Sequence, residues 1–211
     1  QYKSLELTHQ TIKKQLDKNR MIWLTAGIIV VVGGILFSTA SASRKSEGWG
    51  AMKYPQLSLG MLAIFVYVGV EVAVGSNLGE LLKQKAFGGY SSSEITPFVS
   101  MFWGSLMIGR WSGAINAFKL SASSKLVLKF IVPLVAFSLI LGISKLSGYN
   151  IDALYWYIFC VLIQILAFYL TNDKPAFSLT VFGLLGLVAI IIGLTTSGIV
   201  AIYAFLSAGL F

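Results

Sequence analysis

Six apolar stretches, each roughly as long as a bilayer core is thick, dominate this chain: 21–43, 57–79, 95–117, 126–146, 152–171 and 176–196. A hydrocarbon layer of about 30 Å takes roughly 20 helical residues at ~1.5 Å each, so each run is long enough to cross. Composition agrees. Of 211 residues 56% are apolar and 11% charged, where a soluble domain spends about 25% on Asp, Glu, Lys and Arg. That excludes a water-soluble globular enzyme. Disorder, coiled coil and collagen fail as well, because 21 glycines have no three-residue period and uncharged runs recur throughout. The expected fold is all-α, a polytopic transmembrane helix bundle with six full spans and a truncated seventh.

That seventh run, 198–211, is too short to cross and ends on Phe211 without a charge or a cap. A carboxylate there would lie in hydrocarbon, so the expectation is a chain cut off mid-helix. Residues 1–20 form a polar, basic tail with no secretory cleavage pattern after it. The net charge of +8 is spread over loops, which argues for membrane topology and against nucleic acid as a partner. With loop 44–56 on the cytoplasmic side, that side carries Arg44, Lys45, Lys53, Lys119, Lys125, Lys129 and Lys174. The other side carries Lys83, Lys85 and Lys145, and the tail with Lys3, Lys13, Lys14, Lys18 and Arg20 votes the opposite way.

Metal and redox chemistry lack ligands. His9 is the single histidine and Cys160 the single cysteine, too few for zinc, haem, an iron–sulfur cluster or a disulfide framework. No ATP-binding glycine loop opens a helix. The chain is therefore expected to be no enzyme and to hold no cofactor.

Ionisable side chains inside spans are costly and normally face a cavity or a partner. Glu71 in the second span and Arg110 in the third are the candidates. Glu71 is either a cavity acid that binds a polar solute or couples a cation, or a structural carboxyl bonded to a neighbouring helix; the first reading is preferred. Tyr67 stands one turn before it and Gly75 one turn after, with Asn77 on another side, a mixture that suits a sugar. Arg110 either gates, or snorkels or locks a helix. Trp103, seven residues earlier, shares its face. Each of the two charges lies about 15 residues into its own antiparallel span, so their depths differ by about 14 Å and the spacing predicts no direct salt bridge. Ser105, Gly109 and Gly113 recur every four residues, a small-residue stripe for close helix packing. Gly33, Gly34, Gly183, Gly186 and Gly193 also read as packing positions, Gln164 as an interhelical hydrogen bonder, and Tyr155, Trp156 and Tyr157 as interface anchors.

Three segments carry a resemblance: LGMLAIFVYVGVEVAVGSNLGELL at 59–82, FWGSLMIGRWSGAI at 102–115 and TTSGIVAIYAFLSAGLF at 195–211. Together they resemble the C-terminal half of a sugar transporter of the major facilitator superfamily, in the branch of fucose permease and the bacterial glucose/galactose transporters. The resemblance implies a partial major facilitator fold. Residues 21–56 would hold the sixth helix and the inter-half loop, and 57–211 a partial C-terminal bundle with an inserted helical hairpin at 126–171. It further implies sugar:cation symport by alternating access, with a hexose or deoxyhexose as substrate, a proton or sodium ion as coupling ion, and a missing N-terminal half as partner. The site would comprise Tyr67, Glu71, Asn77 and Trp103 for substrate, with Glu71 and Arg110 for coupling or gating. The lipid bilayer, as a bacterial inner membrane, would be its location. Two other readings stay open: a complete small membrane-embedded accessory protein or enzyme, and a major facilitator exporter of another substrate.

Overall fold

A computed structural model describes residues 2–44, 50–171 and 174–211. Lys45, assigned above to the basic loop, lies outside the described residues. Among those described the chain is helical throughout: α1 Tyr2–Arg44, α2 Pro55–Leu82, α3 Ser92–Ala114, α4 Ala122–Leu146, α5 Ile158–Thr171, α6 Pro175–Thr195 and α7 Gly198–Ser207, with short 3-10 turns between some of them. The polar tail continues without a break into the first apolar run as α1.

Among the described residues, five helical stretches are both long and apolar enough to cross a membrane: Lys14–Arg44, Pro55–Leu82, Ala122–Leu146, Asp152–Thr171 and Pro175–Thr195. This is an integral membrane protein. The third run is where the sequence count of six differs. α3 has the length, 23 residues, but Arg110, its serines, glycines and tryptophans dilute its apolarity, as befits a helix that buries one side in protein. Its start is fixed in water-compatible fashion: Glu94 accepts hydrogen bonds from the Ser91 backbone N–H (2.8 Å) and hydroxyl (2.7 Å), which satisfies a donor that the helix itself leaves open.

The chain forms two compact units, Gln1–Gly69 and Val70–Phe211. In the first, a hydrogen bond from the Thr39 hydroxyl to that of Ser58 (3.0 Å) links α1 to the start of α2. The second holds the core, where Met101, Phe102 and Ile108 of α3 pack with Phe137 of α4, Val161 of α5 and Leu206 of α7.

The segment expected as an inserted hairpin, 126–171, lies inside that core. Tyr157 is fully buried, not an interface anchor as its neighbours predicted; Tyr155 and Trp156 do face outward. The reason is local geometry. Residues 152–157 form a 3-10 turn, whose three-residue repeat sends Tyr157 inward on the side of Leu154. There its hydroxyl meets that of Ser105 on α3 at 2.8 Å, and Ser105 also donates to the Met101 carbonyl (2.7 Å). The Tyr203 hydroxyl of α7 donates to the carbonyl of Ala153. Gln164, fully buried on α5, donates to the Leu210 carbonyl at 3.3 Å. α3, α7 and the residues that follow α7 are thus tied to α5 and the turn before it.

Candidate functional site

The second half of α2 lies alongside α3, and glycine allows it. A Cβ on Gly75 would come within 2.9 Å of the Phe102 ring and 3.1 Å of Trp103, and one on Gly79 would touch Ile95. Phe102 and Trp103 meet edge to face, with ring centroids 5.5 Å apart. This side of α2 is where Glu71 projects.

Glu71 and Arg110 form a salt bridge. The Nη2 of Arg110 donates to both carboxylate oxygens, at 2.8 Å and 3.0 Å. The expectation of no direct bridge is therefore overturned. The error lay in treating the span ends as level. The contacts themselves give the register, Gly79 beside Ile95 and Gly75 beside Phe102 and Trp103. Continuing that antiparallel count sets Glu71 opposite the turn 106–110. Arg110 is then only about one turn away, ~6 Å, which its long side chain spans.

The two partners differ in surroundings. The Glu71 side chain retains 11% of its exposure, and Arg110 58%. A carboxylate so covered in a low-dielectric setting is costly to keep charged unless it is paired and hydrogen-bonded. Arg110 supplies both at once. The guanidinium side of the pair remains exposed. Trp103, about half exposed, lies two turns from Arg110 on α3 and offers an aromatic face beside the same seam.

The other predicted site residues are placed as follows. Asn77 is exposed, but its amide donates to the Ala73 carbonyl of its own helix (2.7 Å). It borders a cleft of ~370 Å³ with apolar walls from Val74, Leu78, Ile190, Leu194 and Phe205. Tyr67 belongs to the first unit and is exposed. Ser105 is buried against Tyr157, as above. Gly109 abuts the last residues of the chain, since a Cβ there would stand 2.8 Å from the Leu210 carbonyl oxygen. Gly113 has nothing within 4 Å of such a Cβ, and the same holds for Gly33, Gly34 and Gly183, so these four make no close approach among the described residues. Gly193, against the Phe205 ring at 2.9 Å, does, and Gly186 touches Phe211.

Two further concavities flank the bundle of the second unit. One, ~520 Å³, is bounded by Tyr90, Glu94, Phe98, Tyr149, Asn150 and Asp152 at the start of α3. The other, ~620 Å³, lies between the first turns of α4 and the end of α5. The sequence reading singled out neither. Their signal was present as polar residues clustered in loops 83–91 and 147–152 and as lysines four apart at 125 and 129, but it takes the fold to bring those segments together.

Comparison with known proteins gives one consistent likeness. The chain is 34% identical over 117 residues to proteins described as glucose/galactose transporters from Brucella abortus biovar 1 (strain 9-941) and Brucella abortus (strain 2308). In each case the match covers 51% of this chain and 28% of the relative, so the chain spans well under half of their length. No family model matches, and no solved structure does.

Proposed function

We propose that this chain is part of a secondary active sugar carrier, a hexose or deoxyhexose:cation symporter, and that the Glu71–Arg110 pair is its coupling element. The observation that carries the reading is the pair itself: a covered carboxylate on α2 held by an accessible guanidinium on α3, beside an aromatic side chain. Support for sugar as the substrate class comes from the 34% identity to relatives named glucose/galactose transporters.

The chemistry follows from the pair. With Arg110 in place Glu71 is charge-balanced, and the seam between α2 and α3 is closed by two charge-assisted hydrogen bonds. A proton or a sodium ion on the carboxylate removes the reason for Arg110 to stay. Sugar hydroxyls can then accept from the freed guanidinium and donate to the carboxylate, while Trp103 presents a ring face to the sugar. Tyr67 and Asn77 are proposed to join this site when the carrier changes state, which for Asn77 requires its amide to leave the Ala73 carbonyl. Alternating access supplies that change by rocking a partner bundle against this one around a midplane site. The setting proposed is a bacterial inner membrane.

The test is concentrative uptake of radiolabelled glucose, galactose and fucose into proteoliposomes by the complete carrier. Glu71→Gln abolishes accumulation while leaving folded protein in the membrane, and Arg110→Lys, which keeps the charge on a shorter, more strongly hydrated group, reduces it. Uptake unchanged in Glu71→Gln removes the pair from the transport cycle.

A further inference from the structure

We infer that the concavity at the start of α3 is a second sugar site, an outer vestibule that holds substrate before it reaches the Glu71–Arg110 pair. This inference rests on the sugar-carrier reading above. The concavity measures ~520 Å³, within the range of about 300–1,000 Å³ usual for small-molecule sites, and Tyr90, Glu94, Phe98, Tyr149, Asn150 and Asp152 line it. Measured along α3 from Glu94 to Arg110, the two sites are about 24 Å apart. The walls hold their shape through their own bonds. The backbone N–H of Tyr149 donates to the Ser144 carbonyl (3.1 Å) and that of Gly148 to the Lys145 carbonyl (3.0 Å). Gly148 turns the chain there with a φ of 80°, which a residue with a Cβ rarely adopts. The Asn150 side-chain oxygen then accepts from the Asp152 backbone N–H (2.9 Å). Across the cleft the Tyr90 ring lies against Phe98, with centroids 4.9 Å apart, and Ser91 fixes Glu94 through its Oε2.

Those bonds occupy one oxygen each on Asn150 and Glu94. Among the described residues, the Asn150 amide nitrogen, the Asp152 carboxylate and the Glu94 Oε1 make no hydrogen bond. Carboxylate oxygens accept from neighbouring hydroxyls and an amide N–H donates to them, while Tyr90 and Tyr149 offer ring faces to the C–H side of a pyranose. A metal ion is the wrong occupant, since no group of three or more His, Cys, Asp or Glu among the described residues could hold one. The position suits an importer. Lys119, Lys125, Lys129 and Lys174 lie at one end of these helices and the cleft at the other, so the preference of lysine for the cytoplasmic side turns the cleft outward.

The experiment uses the complete carrier. Saturation-transfer NMR reads D-glucose binding to the Glu71→Gln carrier in detergent, where the inner site is disabled. Entry of radiolabelled glucose into right-side-out vesicles reads transport by carriers with Glu71 intact. Tyr149→Ala/Asp152→Asn lowers the transfer severalfold and raises the KM for entry about tenfold, with little change in Vmax. Trp156→Ala, an exposed aromatic outside the cleft, leaves both unchanged. Should the double variant not fold, Asp152→Asn alone carries the test, with a smaller effect expected. Unchanged transfer and KM overturn the vestibule, while uptake lost only in Glu71→Gln leaves the symport reading standing. A wild type that takes up no sugar fails the symport reading, and transfer lost in the double variant then still supports the vestibule. An equal fall in Trp156→Ala would overturn the vestibule. So would binding of tetramethylammonium that the double variant loses and glucose does not displace, because the cleft would then recognise a cation.

Discussion

The unit Gln1–Gly69 and the unit Val70–Phe211 are both built from strongly apolar runs, yet among the described residues only the second has an interior. Among the described residues of the first, Ala42 and Ser58 alone are buried, while Trp23, Val30 and Phe37 all face outward. In the second, α3, α4, α5 and α7 enclose whole aromatic side chains. Hydropathy therefore reports which phase a helix lives in and says little about whether it packs. Lipid is as apolar as leucine, so helix association in a membrane draws on close contact and hydrogen bonds. What separates the units is how many such polar links they carry: among the described residues the first has Thr39 with Ser58, whereas the second has Ser105 with Tyr157, Tyr203 with Ala153 and Gln164 with Leu210 around one core.

The sharpest way to break this contrast is truncation of a large side chain in each unit. Tyr157→Ala removes a buried ring and its hydroxyl bond and should cost about 3–5 kcal/mol. Trp23→Ala, whose ring faces outward, should change stability by less than about 0.5 kcal/mol. Thermal unfolding in detergent measures both, and comparable losses would mean that the first unit packs as tightly as the second.

Glycine substitutions sharpen the same contrast at a smaller scale. Gly109→Val must displace the backbone at Leu210, and overpacking of that kind costs about 1–3 kcal/mol. Gly33→Val meets nothing within 4 Å and should leave the melting temperature unchanged.

The smallest effect is electrostatic and lies at the start of α3. The Ser91 hydroxyl and then its backbone N–H hold the Glu94 carboxyl below its ordinary range. A carboxyl lowered by folding contributes stability above its unfolded pKa and loses it as pH falls through the lowered value. The difference in melting between wild type and Glu94→Gln should be largest near neutral pH and vanish in acid. A difference that persists in acid would assign the effect to something other than charge.

Much of this was legible in the residues. The helices and their approximate limits follow from run lengths, and Gln164 and Gly109 reveal their contacts by being out of place in an oily helix. The Glu71–Arg110 bridge was not, because it depends on the stagger of α2 against α3, which Gly75 and Gly79 set through the rings and side chains they admit. Tyr157 was misassigned for a related reason: its neighbours Tyr155 and Trp156 are interfacial, and only the 3-10 geometry turns the third aromatic inward. Gly33 and Gly34 mark the converse limit, since a small residue permits close approach without providing the thing approached.

The Ser105–Tyr157 bond closes over 52 residues, and this bears on the order in which the protein is made. A ribosome adding about 5–20 residues per second needs several seconds to travel from one partner to the other. During that interval α3 sits in the bilayer without the partner of Ser105, which arrives with the turn at 152–157, ahead of α7, whose Leu206 packs on α3 later still. A stalled or premature end between those points would leave a half-assembled bundle, which gives quality control a defined moment at which to act.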